Sequence, residues 1–456
     1  MKRLLFLCAL LPFVVVTAQT SLNASLLYHW MDSTIIGTSL YDNAYNEVWG
    51  MVYNNKEFAV IGSTDGTHIF DVTDPTSSNQ VAYIPGAAQG TAIVHRDYHD
   101  FDGYLYIVCD EGSSTLQIVD ISDLPNSFNI VYDSDSLIKR AHNIFIDEST
   151  SHLYVCSEKQ IGVGNNFNAL HIYDLSNPEL PTHWYTYNDV SHVHDAYVKN
   201  DTAFLNCGNQ GLRIVDFSMV APLLAVMHEE LGSLTSYPDA GYNHSGWLTD
   251  DGNYYVMADE NHGYEMKILD VSDYSNPTVV STFFSGVSQA ESMPHNQIIN
   301  GNYVYTAHYH DGVYIHDISD PNNPILVAFY DTFDPTHYNS YMGAWGVYPF
   351  LPSGNILVSD MQTGLYVFEI DYDGHTLLEE KNVNSLLLFP NPTTKMLNMQ
   401  FEGKGLLKMF DISGKLLQTK DVIGGEVLNL TELQSGFYFV QLEIEKKVYQ
   451  QKIIKQ

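Results

Sequence analysis

One phrase recurs seven times between residues 48 and 370, an apolar run that ends in an acid and a turn. The copies are His68-Ile-Phe-Asp71, Leu116-Gln-Ile-Val-Asp120, Leu170-His-Ile-Tyr-Asp174, Leu212-Arg-Ile-Val-Asp216, Met266-Lys-Ile-Leu-Asp270, Val313-Tyr-Ile-His-Asp317 and Leu365-Tyr-Val-Phe-Glu369. Their closing acids stand 49, 54, 42, 54, 47 and 52 residues apart. A period of about 50 in strand-rich sequence marks an array whose units cannot bury their apolar faces alone. A repeat of this kind overrides the domain count that the length of 456 residues would otherwise suggest.

Each unit reads as four strands, most clearly the sixth. His295-Asn-Gln-Ile-Ile comes first, and Tyr303-Val-Tyr-Thr-Ala follows an Asn300-Gly-Asn turn. Val313-Tyr-Ile-His-Asp and Ile325-Leu-Val-Ala-Phe-Tyr330 flank an Asp-Pro corner. The strands are almost continuously apolar, so both faces of each sheet should be covered. Radially stacked four-stranded sheets meet that demand. The expected fold is all-β, a seven-bladed β-propeller over residues 19–372. The last unit ends after its third strand, and Ser25-Leu-Leu-Tyr-His-Trp30 resembles the fourth strands of the others. The N-terminal strand is therefore expected to complete the last blade and close the ring.

The N-terminus has the pattern of a secretory signal over residues 1–18: Lys2-Arg3, an apolar run from Leu4 to Val16, then small residues, with cleavage between Ala18 and Gln19. No later segment has the apolar length of a transmembrane span. The remaining cysteines, Cys109, Cys156 and Cys207, end equivalent strands in odd number and read as buried small hydrophobes rather than a disulfide framework. Residues 19–383 carry nine basic residues against 47 acidic ones, hence −38, while 384–456 carry nine against seven. Such a surface repels nucleic acid and anionic membranes and suits solubility outside the cell, cations or a cationic partner. A monomer is expected.

Residues 373–383 read as a polar linker before a small C-terminal β-sandwich at 384–456. In that segment Leu386-Leu-Leu-Phe-Pro-Asn-Pro392, Met409-Phe-Asp-Ile-Ser-Gly-Lys415, Leu430-Thr-Glu-Leu-Gln-Ser-Gly-Phe-Tyr-Phe439 and Lys452-Ile-Ile-Lys455 follow in order. The series resembles the C-terminal sorting domain of the Bacteroidetes type IX secretion system. That resemblance implies handling by the type IX machinery and export across the outer membrane. Removal of the domain would follow, with release or attachment to surface lipopolysaccharide. The repeats, Leu116-Gln-Ile-Val-Asp120 and Leu212-Arg-Ile-Val-Asp216 above all, resemble the LVIVD-repeat β-propellers, secreted bacterial proteins with varied surface-anchoring tails. This implies a propeller and an extracellular location, and brings no biochemical activity with it.

In an up-and-down meander, the start of strand one and the turn after strand two share one mouth. Aligned at the start of strand one, the units present Trp49, His95, His142, His194, His244, His295 and Trp345. The turns after strand two add a collar of acids that includes Glu111, Glu158 and Glu260, and the pair His308-x-His310, where i and i+2 on a strand share a face. Several readings follow. Imidazoles and carboxylates suit a divalent metal such as Zn, Mn or Fe, with His142, His194, His244, His295, His308 and His310 as candidate ligands. Alternatively, Trp49 and Trp345 stack on a glycan or other ligand in a binding mouth. A third option is His/Glu acid–base chemistry in a metal-dependent extracellular lyase or hydrolase. The bland option ties each histidine to the neighbouring blade as a structural link, and repetition favours it. The acids that end each phrase read as corner acceptors before Ser/Thr-Asp/Asn-Pro turns, with Ca the lesser option. Phosphate-binding glycine loops, serine-hydrolase elbows and His-Glu-x-x-His are absent. The reading that results is a secreted or cell-surface binding or adhesion module, and the metal-dependent enzyme is its rival.

Overall fold

The computed structural model describes residues 21–159, 167–221, 227–286, 292–333 and 340–372. It also describes 387–455 apart from 390–392, 401–402, 412–414, 432 and 445–446. The signal segment, the cleavage pair Ala18 and Gln19, and the linker 373–383 lie outside the described residues. The chain divides into two compact units, Met1–Tyr372 and Asp373–Gln456. Both are built of strands; among the described residues the one helical element is the 3-10 turn Pro75–Ser77. No helix there is long and apolar enough to cross a membrane.

Antiparallel sheets in the first unit occupy residues 45–85, 96–134, 143–187, 195–234, 243–283, 297–330 and 344–370. The sixth gains Ser21–Leu22 at its edge, paired with Ile325–Tyr330. The last contributes three strands of its own, and Ala24–Trp30 completes it in register from Ala24↔Ile370 to Trp30↔Leu365. Consecutive sheets share apolar interfaces, which explains why their strands are apolar on both faces. Tyr154, Leu170 and Ile172 of the third pack on Val198, Ala203 and Leu205 of the fourth. Tyr348, Leu357, Leu365 and Val367 of the last pack on Tyr45, Val48, Ala59 and Ile61 of the first. Similar clusters join the other consecutive pairs. Each such large apolar side chain gains about 1.5–3 kcal/mol by leaving water. Cys109, Cys156 and Cys207 are buried and unpaired within this packing.

The repeated acids work at corners. Asp71, Asp120, Asp174, Asp216, Asp270 and Asp317 each accept from the backbone N–H two residues on, at 2.7–3.1 Å. A short carboxylate at the strand end holds the turn in place before the next strand begins.

The second unit has a three-stranded sheet (Leu387–Phe389, Met396–Gln400, Val427–Asn429) and a four-stranded one (Lys404–Asp411, Leu416–Ile423, Gly436–Ile444, Lys447–Lys455). Leu388, Leu397 and Met399 of the first sheet share a core with Leu407, Met409, Val440, Leu442 and Ile453 of the other.

Candidate functional site

The first strands of the seven sheets neighbour one another in chain order, and the last neighbours the first. Side chains at their starts therefore converge. Backbone irregularity helps to aim them. In the fifth sheet the pairing steps from Asn243↔Asp259 to Ser245↔Ala258, and in the last from Ala344↔Asp360 to Gly346↔Ser359. His244 and Trp345 are the extra residues at these bulges, freed from the ladder pattern that would otherwise fix their direction.

His95, His142, His194, His244, His295 and Trp345 line one mouth together with Tyr41, Asp110, Glu111, Glu260, Tyr309 and Tyr341. Its volume is about 190 Å³, below the roughly 300–1,000 Å³ of pockets that take drug-sized ligands. The six rings touch in sequence. Centroids are 4.8 Å apart for His95–His142, 4.1 Å for His142–His194, 3.9 Å for His194–His244, 4.5 Å for His244–His295 and 4.4 Å for His295–Trp345. Trp345 returns to His95 at 5.5 Å.

Hydrogen bonds fix the protons. The Nδ1 of His194 lies 3.0 Å from the His244 carbonyl, and that of His295 lies 2.5 Å from the Trp345 carbonyl. A carbonyl only accepts, so both Nδ1 atoms carry the proton, and each neutral ring keeps its lone pair on Nε2. His142 Nε2 stands 2.7 Å from that His194 lone pair, and its Nδ1 stands 2.8 Å from Asp110 Oδ2. Both His142 nitrogens must donate, so His142 is an imidazolium paired with Asp110. Burial acts against that charge, yet the bond and charge of Asp110 prevail and hold His142 above the ordinary histidine value. Burial likewise opposes the Asp110 charge, and His142 overrides it and brings Asp110 down to about 2. The other rings are neutral. Burial and neighbouring histidines take His95 to about 4 and push His194 and His244 well down; burial leads in bringing His295 to about 3. Glu111 and Glu260 rise to about 7, chiefly by burial. Tyr309 donates its hydroxyl to Glu260 Oε1 at 2.5 Å, and Glu111 Oε2 accepts the N–H of Val94 at 3.0 Å.

Several expected residues lie elsewhere. Trp49 packs against Tyr348 and His99, and its Nε1 donates to Asp100 at 2.7 Å. With Phe145, Tyr197 and Trp247 it lines a second, wider opening. Trp247 lies three residues beyond His244 on one strand, about 10 Å along it, so the two openings sit at opposite ends of the first strands. Ahead of Trp49 the first sheet carries two extra residues, Asn46 and Glu47, in the step between Tyr45↔Ser63 and Val48↔Ile61. Trp49 precedes Asp71 by the same interval that separates His194 from Asp216 and His295 from Asp317, so spacing could not expose the extra residues. Glu158 is fully buried inside the third sheet, where it accepts from Tyr173 and pairs with His171. His308 and His310 sit in the turn after Tyr303–Ala307, with Tyr309 between them at φ 42°, so the shared-face rule for strands does not apply. His308 meets Tyr314 edge to face and its Nδ1 lies 3.3 Å from Ser292 Oγ, and His310 meets Phe333.

Sequence reasoning missed a layer beneath the histidines, where Glu47, Asp97, Asn143, Asp195 and Asn296 line an inner cavity. Asn296 donates to Glu47 Oε2 at 2.8 Å, and Gly346 leaves the room that Glu47 fills, since a Cβ there would stand 1.9 Å from Glu47 Oε1. Burial lifts Asp97 to about 7 and Asp195 to about 6. A signal existed: a polar residue directly follows His142, His194 and His295. Tyr309 was also missed, because its reach to Glu260 crosses between sheets.

Four-stranded meanders whose first strands neighbour one another around a cycle define a β-propeller. Solved structures agree at the level of fold. The chain is similar to the β-propeller domain of Cps50 (Swd1) from Myceliophteria thermophila, with 11% identity over 76% of this chain and 100% of that one, at a TM-score of 0.51. It is also similar to U3-55K (10% identity, 76% and 98% covered, TM-score 0.53) and to the WD40 repeats of RRP9 (10%, 77% and 100%, 0.53). The comparison with curated proteins gives no match. Residues 101–130, 250–284 and 297–332 match the LVIVD repeat, and residues 387–456 match the secretion system C-terminal sorting domain. The fold of the first unit is thus that of a β-propeller, and the chain carries LVIVD repeats and a type IX C-terminal sorting domain. That domain indicates export across the outer membrane, to the cell surface or beyond.

Proposed function

We propose that the protein is an exported seven-bladed β-propeller that acts as a binding or adhesion module, its ligand seated in the histidine-lined mouth. A signal peptide cleaved after Ala18, a linker at 373–383 and a sandwich-type sorting domain at 384–456 complete the chain. Seven sheets with apolar interfaces between all consecutive pairs support the blade count. The observation that carries the binding reading is the closed circuit of five imidazoles and Trp345 at the mouth. A structural link between blades would account for the Nδ1 bonds to carbonyls. It would not account for a buried indole: Trp345 is 6% exposed and its Nε1 has no hydrogen-bond partner among the described residues. A buried donor without an acceptor costs about 1–3 kcal/mol, and a polar ligand atom in the mouth would recover it. The −38 charge of residues 19–383 favours a neutral or cationic ligand over an anionic one. The test is a thermal-shift screen of the full mature chain in EDTA against neutral glycans and small polar compounds, repeated with Trp345→Phe. A ligand whose shift disappears with the indole N–H supports the reading; no shift from any compound, or shifts that Trp345→Phe leaves intact, would count against it.

A further inference from the structure

One corner of the mouth differs from the rest of the circuit. His142 and His194 spend their Nε2 atoms on each other, and His95 spends its Nε2 on Asn143 at 2.9 Å. His295 has its Nδ1 committed to the Trp345 carbonyl, which leaves an Nε2 lone pair. The His244 ring lies against the backbone of His295, whose carbonyl accepts from Ser245 Oγ at 2.6 Å. Its Nε2 faces Glu260 Oε1 at 3.7 Å, too far for a hydrogen bond. The donor atoms of His244, His295 and Glu260 all lie within 4.8 Å of one another. No other group of three or more His, Cys, Asp or Glu among the described residues meets that spacing.

We propose that His244, His295 and Glu260 bind one divalent first-row transition-metal ion, with open coordination positions facing the mouth. The inference rests on the reading of that mouth as a binding site and names its ligand class.

Donors 2.1 Å from a shared tetrahedral ion stand about 3.4 Å apart. The 3.7 Å between His244 and Glu260 is already close to that, so closing the set asks for modest side-chain movement. Two imidazoles and one carboxylate suit Zn, Mn or Fe(II) rather than calcium, which takes oxygen ligands. The outer contacts are those that metal ligands use. A ligating histidine hands its second N–H to a carbonyl, as His295 does, and a ligating carboxylate is held by a hydrogen bond, as Tyr309 holds Glu260. Tyr309 is thus a positioning residue. His308 and His310 are excluded by their place in the turn, and His142 by its two donated protons.

The experiment is calorimetric titration of the EDTA-stripped full mature chain with ZnCl₂ and MnCl₂, with X-ray absorption of the zinc-loaded protein. One ion is expected per chain, with a nitrogen/oxygen shell at about 2.0–2.1 Å and imidazole scattering from two histidines. His295→Ala and Glu260→Gln should weaken binding more than 100-fold, and Tyr309→Phe by about 10–100-fold. His308→Ala, outside the mouth, should leave it within a few-fold. Absorption on the unaltered chain does not depend on whether a variant folds. No bound ion, an all-oxygen shell, or an ion lost with His308→Ala but kept in His295→Ala would overturn the site. If no ion binds while an organic ligand still shifts melting through Trp345, the metal site fails and the binding mouth stands.

Discussion

Glu260→Gln should make the metal-free protein more stable at alkaline pH and leave it unchanged in acid. The Glu260 side chain is 14% exposed, and burial raises its carboxyl from 4.5 to about 7. In the unfolded chain it ionises near 4.5. The folded state thus holds a proton that the unfolded state has released, and stability falls as pH rises from 4.5 through 7. A shift of about 2.5 units amounts to about 3 kcal/mol, fully developed above pH 7 and absent below 4.5. Glutamine stands in for the protonated carboxyl: its Oε1 still accepts from Tyr309, and it cannot ionise. Urea unfolding in EDTA, followed by tryptophan fluorescence, should put the variant level with the unaltered protein at pH 4 and about 3 kcal/mol above it at pH 8. Saturating zinc at pH 8 should close the gap, because an ion at 100 times its Kd adds about 2.7 kcal/mol only to the chain that binds it. A variant less stable at pH 8, or a difference that does not change with pH, would refute the reasoning.

Asp110→Asn should lower stability by about 2 kcal/mol at pH 6 and by well under about 1 kcal/mol at pH 2, where the carboxyl is half protonated. The depressed Asp110 carboxyl stabilises the fold above its unfolded value of 3.8, and that contribution is lost as pH falls through about 2; denaturant midpoints at the two pH values check it. Lys267→Met should cost about 3–5 kcal/mol, because it leaves the fully buried Asp259 without its partner at 2.8 Å; thermal melting of Lys267→Met beside Asp259→Asn/Lys267→Met, which should recover much of the loss, reads it. Deleting residues 19–30 removes the pairing with Gly364–Ile370 and exposes that strand, so the truncated protein should melt earlier and self-associate in sedimentation. Removing residues 384–456 should leave the propeller inside the cell envelope, seen by fractionation.

The architecture was legible because the repeat writes it many times over. In the sixth unit, three of four strands, Tyr303–Ala307, Val313–Asp317 and Ile325–Tyr330, have the bounds that the turns around them dictate. The first strand begins at Gln297 rather than His295, because the backbone at the mouth departs from regular pairing. The same irregularity governs the site. Five histidines converge as their common position implies, but bulges shift phase by a residue or two without changing composition. Trp49 therefore fell at the opposite opening, behind the extra residues Asn46 and Glu47, the second of which lines the inner cavity. Glu158 and His308-x-His310 were misplaced for a related reason: turns after strand two differ in length and backbone from sheet to sheet. Tautomers and the Tyr309–Glu260 contact depend on neighbours in other sheets, which no single unit's sequence encodes.

Histidine-selective ¹⁵N NMR of the metal-free mature chain between pH 4 and 8 tests the gathering of these rings most directly. One mouth imidazole, His142, should carry two protons at pH 6, while His194 and His295 remain neutral with the proton on Nδ1, His95 gains a second proton only as pH falls to about 4, and His244 stays neutral well below the usual histidine range. Five independent titrations near 6.5 would mean that the side chains stand apart in solvent, and the mouth described here would not exist.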